Sequence, residues 1–217
     1  MENDFILVSR ISSMTLKNIK SSLDKISTTL SEIQDAREFL LKNTREVIIL
    51  CSRSIISVHK GDQKAAKSNL KHAEVLLRKY QKKAKRDLRR YIITSEQEFV
   101  EASCLVAIFE KREIPNDKKL NVLPESYILG LLDCVGELKR MIFDKIRIGK
   151  IDDATKIFEI MENMYLSLYP FSMYDKVVKE ARRKIDVNRV LVEDVRGAIT
   201  EEKRRYDLID AINKLQK

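Results

Sequence analysis

An all-α fold is predicted by three features of the 217-residue chain. It holds only five Gly and three Pro, too few breakers for a protein built of many turns. It is rich in Lys, Glu, Leu and Ile and has no Trp. Its apolar residues recur at three and four, and no stretch alternates with period two for long enough to read as a strand.

The breakers divide the chain into seven helical segments. Residues 9–58 read as one or two long amphipathic helices, closed where His59-Lys60-Gly61 offers a glycine for a left-handed cap. Asp62 is placed to N-cap a second segment that runs to Tyr91. Residues 95–112 form a third. Pro115 and Pro124 bracket a polar connection, and a fourth helix follows over 125–148, closed by Gly149. A fifth spans 152–168 and ends at Pro170; segments 172–185 and 188–217 complete the set. With no repeat, low-complexity tract or linker, residues 1–217 read as a single domain, long enough to bury a substantial core.

Composition narrows the function. The net charge of +9 favours a polyanionic partner, without choosing between nucleic acid and membrane. Apolar runs such as residues 5–8 are too short to span a bilayer or to form a signal-peptide core, so the expectation is a soluble, cytoplasmic protein with no membrane partner. Cys51, Cys104 and Cys134 are odd in number, widely spaced and set among apolar residues, which fits buried reduced thiols rather than a disulfide framework or a zinc site.

Chemistry is concentrated in four acids. Glu98 and Glu101 lie in QEFVEA, and Asp133 and Glu137 in LLDCVGEL; steps of three and four put each pair on one helix face. Glu98 and Glu101 share a face with Ala102, Leu105 and Ile108, and Asp133 shares one with Gly130, Glu137 and Met141. If the two helices pack face to face, four carboxylates converge, and a hard cation such as Mg²⁺ or Mn²⁺ is the natural neutraliser. Blander readings stand beside this one. Ser95 with Glu98 fits a capping box, and Asp133 fits an ion pair with Lys139 or Arg140. Gly130 and Gly136 each cost roughly 1 kcal/mol relative to Ala in a helix, which suggests a close approach there.

Other carboxylate chemistries fit less well. A di-iron centre needs Glu-x-x-His, and neither His59 nor His72 follows an acidic pair at that spacing. A glycosidase needs only two acids and an aromatic cleft. Walker A, dinucleotide, nucleophile-elbow and zinc-protease signatures are absent. Metal-assisted phosphodiester hydrolysis remains. Residues 78–91, RKYQKKAKRDLRRY, hold eight Lys or Arg against one Asp. On a helix Arg78, Lys82, Lys85, Arg86 and Arg89 form a basic band, with Arg90 beside it and Tyr80 and Tyr91 available to stack on bases. The alternative is a solvated face. Arg140, one turn from Glu137, is a further phosphate contact.

The acidic motifs, taken with ARE at 36–38, REVIILCSRSIISVHK at 45–60, YILGLLDCVGELKRM at 127–141, GKIDDA at 149–154 and VRG at 195–197, resemble the translin family, and specifically its Trax (translin-associated factor X) branch. The resemblance covers residues 30–200 in consistent order. It implies a seven-helix bundle that assembles into a hollow octamer, and a Mg²⁺-dependent endoribonuclease acting on single-stranded RNA, with Glu98, Glu101, Asp133 and Glu137 as the catalytic and metal-binding acids. The translin branch, which binds single-stranded RNA or DNA without cutting it, lacks acids matching Glu98, Glu101 and Asp133, so the chain resembles the catalytic branch. A non-catalytic oligomeric binder is the alternative. The short connection over 112–125 and the lack of a long basic N-terminal extension depart from eukaryotic Trax; they favour a homo-oligomer over obligatory pairing with a translin subunit.

Overall fold

The computed structural model describes the backbone of residues 2–215 and the side chains of residues 18–215; the side chains of the apolar run 5–8 and the last two residues of the segment predicted to reach 217 lie outside it. Seven α-helices and two 3-10 helices make up the described residues: α1 Glu2–His59, α2 Gln63–Lys83, a 3-10 helix Arg86–Tyr91, α3 Ile93–Phe109, α4 Asp117–Leu120, α5 Pro124–Arg147, α6 Ile151–Leu168, a second 3-10 helix Tyr169–Tyr174, and α7 Ala181–Leu215. None is long and apolar enough to cross a membrane.

The predicted boundaries hold where a breaker sets them. α1 is a single helix of 58 residues, about 87 Å at 1.5 Å per residue. It ends in a left-handed turn at Gly61 (φ +75°), where Gly61 N–H donates to the Val58 carbonyl and Asp62 N–H to that of Ser57; these bonds satisfy carbonyls that the helix end would leave bare. The Asp62 carboxylate then accepts from Ala65 N–H at 2.9 Å and starts α2. Pro124 opens α5 from its first turn, where its missing N–H costs nothing.

Boundaries set by tertiary contacts differ from expectation. The basic stretch is not one helix: α2 stops at Lys83, Lys85 is extended, and Arg86 turns left-handed (φ +49°) before the 3-10 helix. The polar connection contains α4, capped by Asn116. Residues 175–180 are not helical, and no break falls at 186–187; α7 runs straight through, with Asn188 buried and donating to the Leu132 carbonyl at 2.9 Å.

Packing places α3 and α5 at the centre. α1 and α2 form a hairpin, with the Lys83 ammonium 4.7 Å from the Phe39 ring centroid. α3 packs on that hairpin and on α5, and α5 packs in turn on α6 and α7. Phe99 to Ile108 of α3 are all buried, so this stretch of the helix has no solvent face and the part of the amphipathic stripe beyond Glu98 is submerged. α3 and α5 touch at Gly130, where a Cβ would stand 2.5 Å from the Gln97 carbonyl oxygen and 2.6 Å from Val100 Cβ. Gly136 has open space around it, so the close approach expected there is absent.

Candidate metal centre

The four acids sit on the facing sides of α3 and α5, just past the Gly130 contact. Glu101 is buried, while Glu98, Asp133 and Glu137 are half-buried. They share one electrostatic field. The Glu101 carboxyl is pushed up to about 8, first by burial and then by Asp133, Glu98 and Glu137, with Lys184 opposing. Burial, Asp133 and Glu137 raise Glu98 in the same way. Desolvation and like charge both penalise an anion here.

Two of the acids are neutralised by side chains remote in sequence. Asp133 accepts from the Gln97 amide and forms an ion pair with Lys184 at the start of α7. Glu137 lies 2.5 Å from His59 Nε2 at the end of α1. That hydrogen bond, with a contribution from Arg140, holds the Glu137 carboxyl below the usual range despite its burial. The other ring nitrogen of His59 is buried without a hydrogen bond, 3.7 Å from the Asp144 carboxylate. No such partner serves Glu98 or Glu101 among the described residues.

The capping box does not form, and the ion pair expected of Asp133 forms with Lys184 and not with its helix neighbours. Ser95 lies within α3, its hydroxyl donating to the Ile92 carbonyl, so no capping box forms with Glu98. Lys139 pairs with Asp194 instead of Asp133, and Arg140 is exposed. The partners actually used, Gln97, Lys184 and His59, were not legible. Spacing along one helix says nothing of a histidine 78 positions away.

Among the described residues no three His, Cys, Asp or Glu side chains stand grouped to hold a metal ion. Asp133 is instead clasped by Lys184 and Glu137 by His59. The donor set nonetheless suits a hard divalent cation. It is all carboxylate oxygen, and it contains a buried acid driven toward neutrality by three others, a cost that a cation would relieve. Cys51, Cys104 and Cys134 are free and buried. Burial comes first and Glu101 second in pushing the Cys104 thiol up to about 12. Thiols held protonated are not ligands.

The basic residues divide into two groups. Lys82, Lys85, Arg86 and Arg90 are exposed. Arg78 is engaged with Glu74, Gln81 and the Asn121 carbonyl. Arg89 pairs with Glu96, which is fully buried and also accepts from Gln81, Leu123 N–H and Ser126. Glu96 thus fastens α2, the 3-10 helix and the start of α5 to α3, two residues before Glu98. Tyr80 is buried against Glu46 and offers no face for base stacking. The Tyr91 hydroxyl accepts from Arg37 and Arg90, and those two guanidiniums stand 5.6 and 5.0 Å from its ring centroid.

Comparison with known proteins agrees with this architecture. The model of the translin family matches residues 15–199. An uncharacterized protein of Methanocaldococcus jannaschii, MJ0175, is 32% identical over 197 residues, 89% of this chain and 88% of its own length. The crystal structure of AfC3PO superposes with a TM-score of 0.77 at 32% identity, covering 84% of this chain and 97% of that one. A complex of AfC3PO with duplex RNA gives 0.75 at 30% identity with the same coverage. Apo-NeC3PO, at 22% identity and a TM-score of 0.73, covering 83% of this chain and 96% of that one, shares the fold.

Proposed function

The chain belongs to the translin family, and from that premise we propose that it is a Trax-type, divalent-metal-dependent endoribonuclease acting on single-stranded RNA. The observation that carries this reading is the common electrostatic field of the four acids across α3 and α5, in which burial and the other three carboxylates drive Glu101 up to about 8. A family fold needs no such arrangement for stability, since burying uncompensated acids is costly. That a relative is described in complex with duplex RNA supports RNA as the class of ligand.

Glu101, Asp133 and Glu137 are the residues that would hold Mg²⁺ or Mn²⁺. When bound, the ion supplies a Lewis acid for the phosphate and lowers the pKa of water. Glu98, whose carboxyl is raised toward neutrality, is suited to take the proton of the attacking water. His59 orients Glu137, and Gln97 orients Asp133. Arg140 and Lys184 place positive charge beside the acids, where a scissile phosphate would lie. The exposed Lys82, Lys85, Arg86 and Arg90 hold the strand farther along through its phosphates, and the assembly is an oligomer.

A second reading rests on the ion pairs. If Lys184 and His59 neutralise the acids permanently, the protein binds single-stranded nucleic acid without cutting it. Labelled single-stranded RNA incubated with Mg²⁺, with Mn²⁺ and with chelator separates the two. Cleavage that needs the cation, with binding retained in chelator, is expected; binding without cleavage under all three conditions selects the second reading.

A further inference from the structure

α1 extends well beyond the helices that cover it. The line Leu40, Val47 and Ser54, one residue in seven, is buried under α2 and α3. Its continuation toward the N-terminus, Ile33, Ile26 and Ile19, is 45, 50 and 53% exposed. Leu30 and Leu23 stand between them at 59 and 58%. The spacing is four, three, four, three, the seam of a coiled coil. Residues 18–35 thus carry a core face about 27 Å long that no described element of the same chain covers.

We propose that this segment pairs antiparallel with the same segment of a second copy, about a two-fold axis at Ile26. That register sets Ile19 opposite Ile33 and Leu23 opposite Thr29, next to Leu30, so the two apolar stripes overlap along their length. Charge selects the direction. Residues 18–25 carry Lys20 and Lys25 against Asp24, whereas residues 26–35 carry Glu32 and Asp35 and no base. An antiparallel pair lays the basic half on the acidic half, with Lys20 opposite Glu32; a parallel pair would set Glu32 and Asp35 against their own copies. Ser22, Ser27 and Thr29 flank the stripe and let two helices approach closely. A two-fold contact of this kind is self-complementary and closed. It is independent of the nuclease reading.

Two measurements on the full chain test it. Light scattering after size exclusion should show Leu23→Glu with Leu30→Glu lowering the particle mass at least twofold, while circular dichroism shows helical content retained. Ile19→Cys mixed with Ile33→Cys should cross-link under mild oxidation, and Ile19→Cys alone should not, the native cysteines being buried. A monomeric wild type, an unchanged mass in the double variant, or cross-linking of Ile19→Cys with itself would overturn the proposal. So would a lowered mass without the mixed cross-link, which would place the stripe against another surface, such as the exposed Tyr206, Ile209 and Ile212 of α7.

Discussion

At the scale of single residues, protonation links the cluster to stability. Glu101 rises from 4.5 to about 8 on folding, so over that interval the folded chain holds a proton that the unfolded chain has released. The resulting stabilisation is fully present below about 4.5 and is lost as pH rises through about 8. Thermal unfolding in chelator should therefore show a melting temperature that falls across this window, and Glu101→Gln should flatten the fall. Equal slopes in the two proteins would contradict the burial argument. His59 acts through Glu137: His59→Ala should lower cation affinity about 10- to 100-fold, the usual cost of losing a residue that orients a ligand, as read by Mn²⁺ titration. The four acids were legible because charges inside apolar helical stretches stand out in a sequence. Their partners were not, because His59, Lys184 and Gln97 reach them only through the packing of α1, α7 and α3 on α5.

Helix packing decides the outcome of two substitutions at the scale of elements. Gly130→Ala would drive a methyl group into the Gln97 carbonyl and Val100, a backbone neighbour that cannot swing aside. It should destabilise by about 1–3 kcal/mol and weaken cation binding by parting the two acidic helices. Gly136→Ala meets nothing within 4 Å and should stabilise by up to about 1 kcal/mol. Denaturant melts of the two variants should shift in opposite directions. Helix ends followed the same division of legibility. Those made by Gly61, Asp62 and Pro124 are local and were readable. The break between α2 and α3 has neither Gly nor Pro. It is held by the buried Leu88 and by the grip of Glu96 on Arg89, contacts that local pattern does not carry. Asn188 has the residue type of a helix start, yet it sits inside α7 with its amide spent on Leu132.

For the whole molecule, the exposed basic band is smaller than the sequence suggested. Arg78 and Arg89 are occupied within the fold, which leaves Lys82, Lys85, Arg86 and Arg90 exposed next to α3. Replacing these four by Ala should weaken single-stranded RNA binding and reduce its salt dependence by up to about 0.7 in log–log slope for each phosphate no longer neutralised. Arg89→Ala should instead lower stability through Glu96 and leave that slope unchanged. The central proposal is that Glu101, Asp133 and Glu137 of α3 and α5 would hold a divalent cation, with Glu98 beside it as the base. Its most direct test is electron paramagnetic resonance of Mn²⁺ titrated into wild type and Asp133→Asn, with folding checked by circular dichroism. Saturable binding to wild type, weakened at least tenfold in the variant, is expected; equal binding in both, or none in wild type, would contradict the claim.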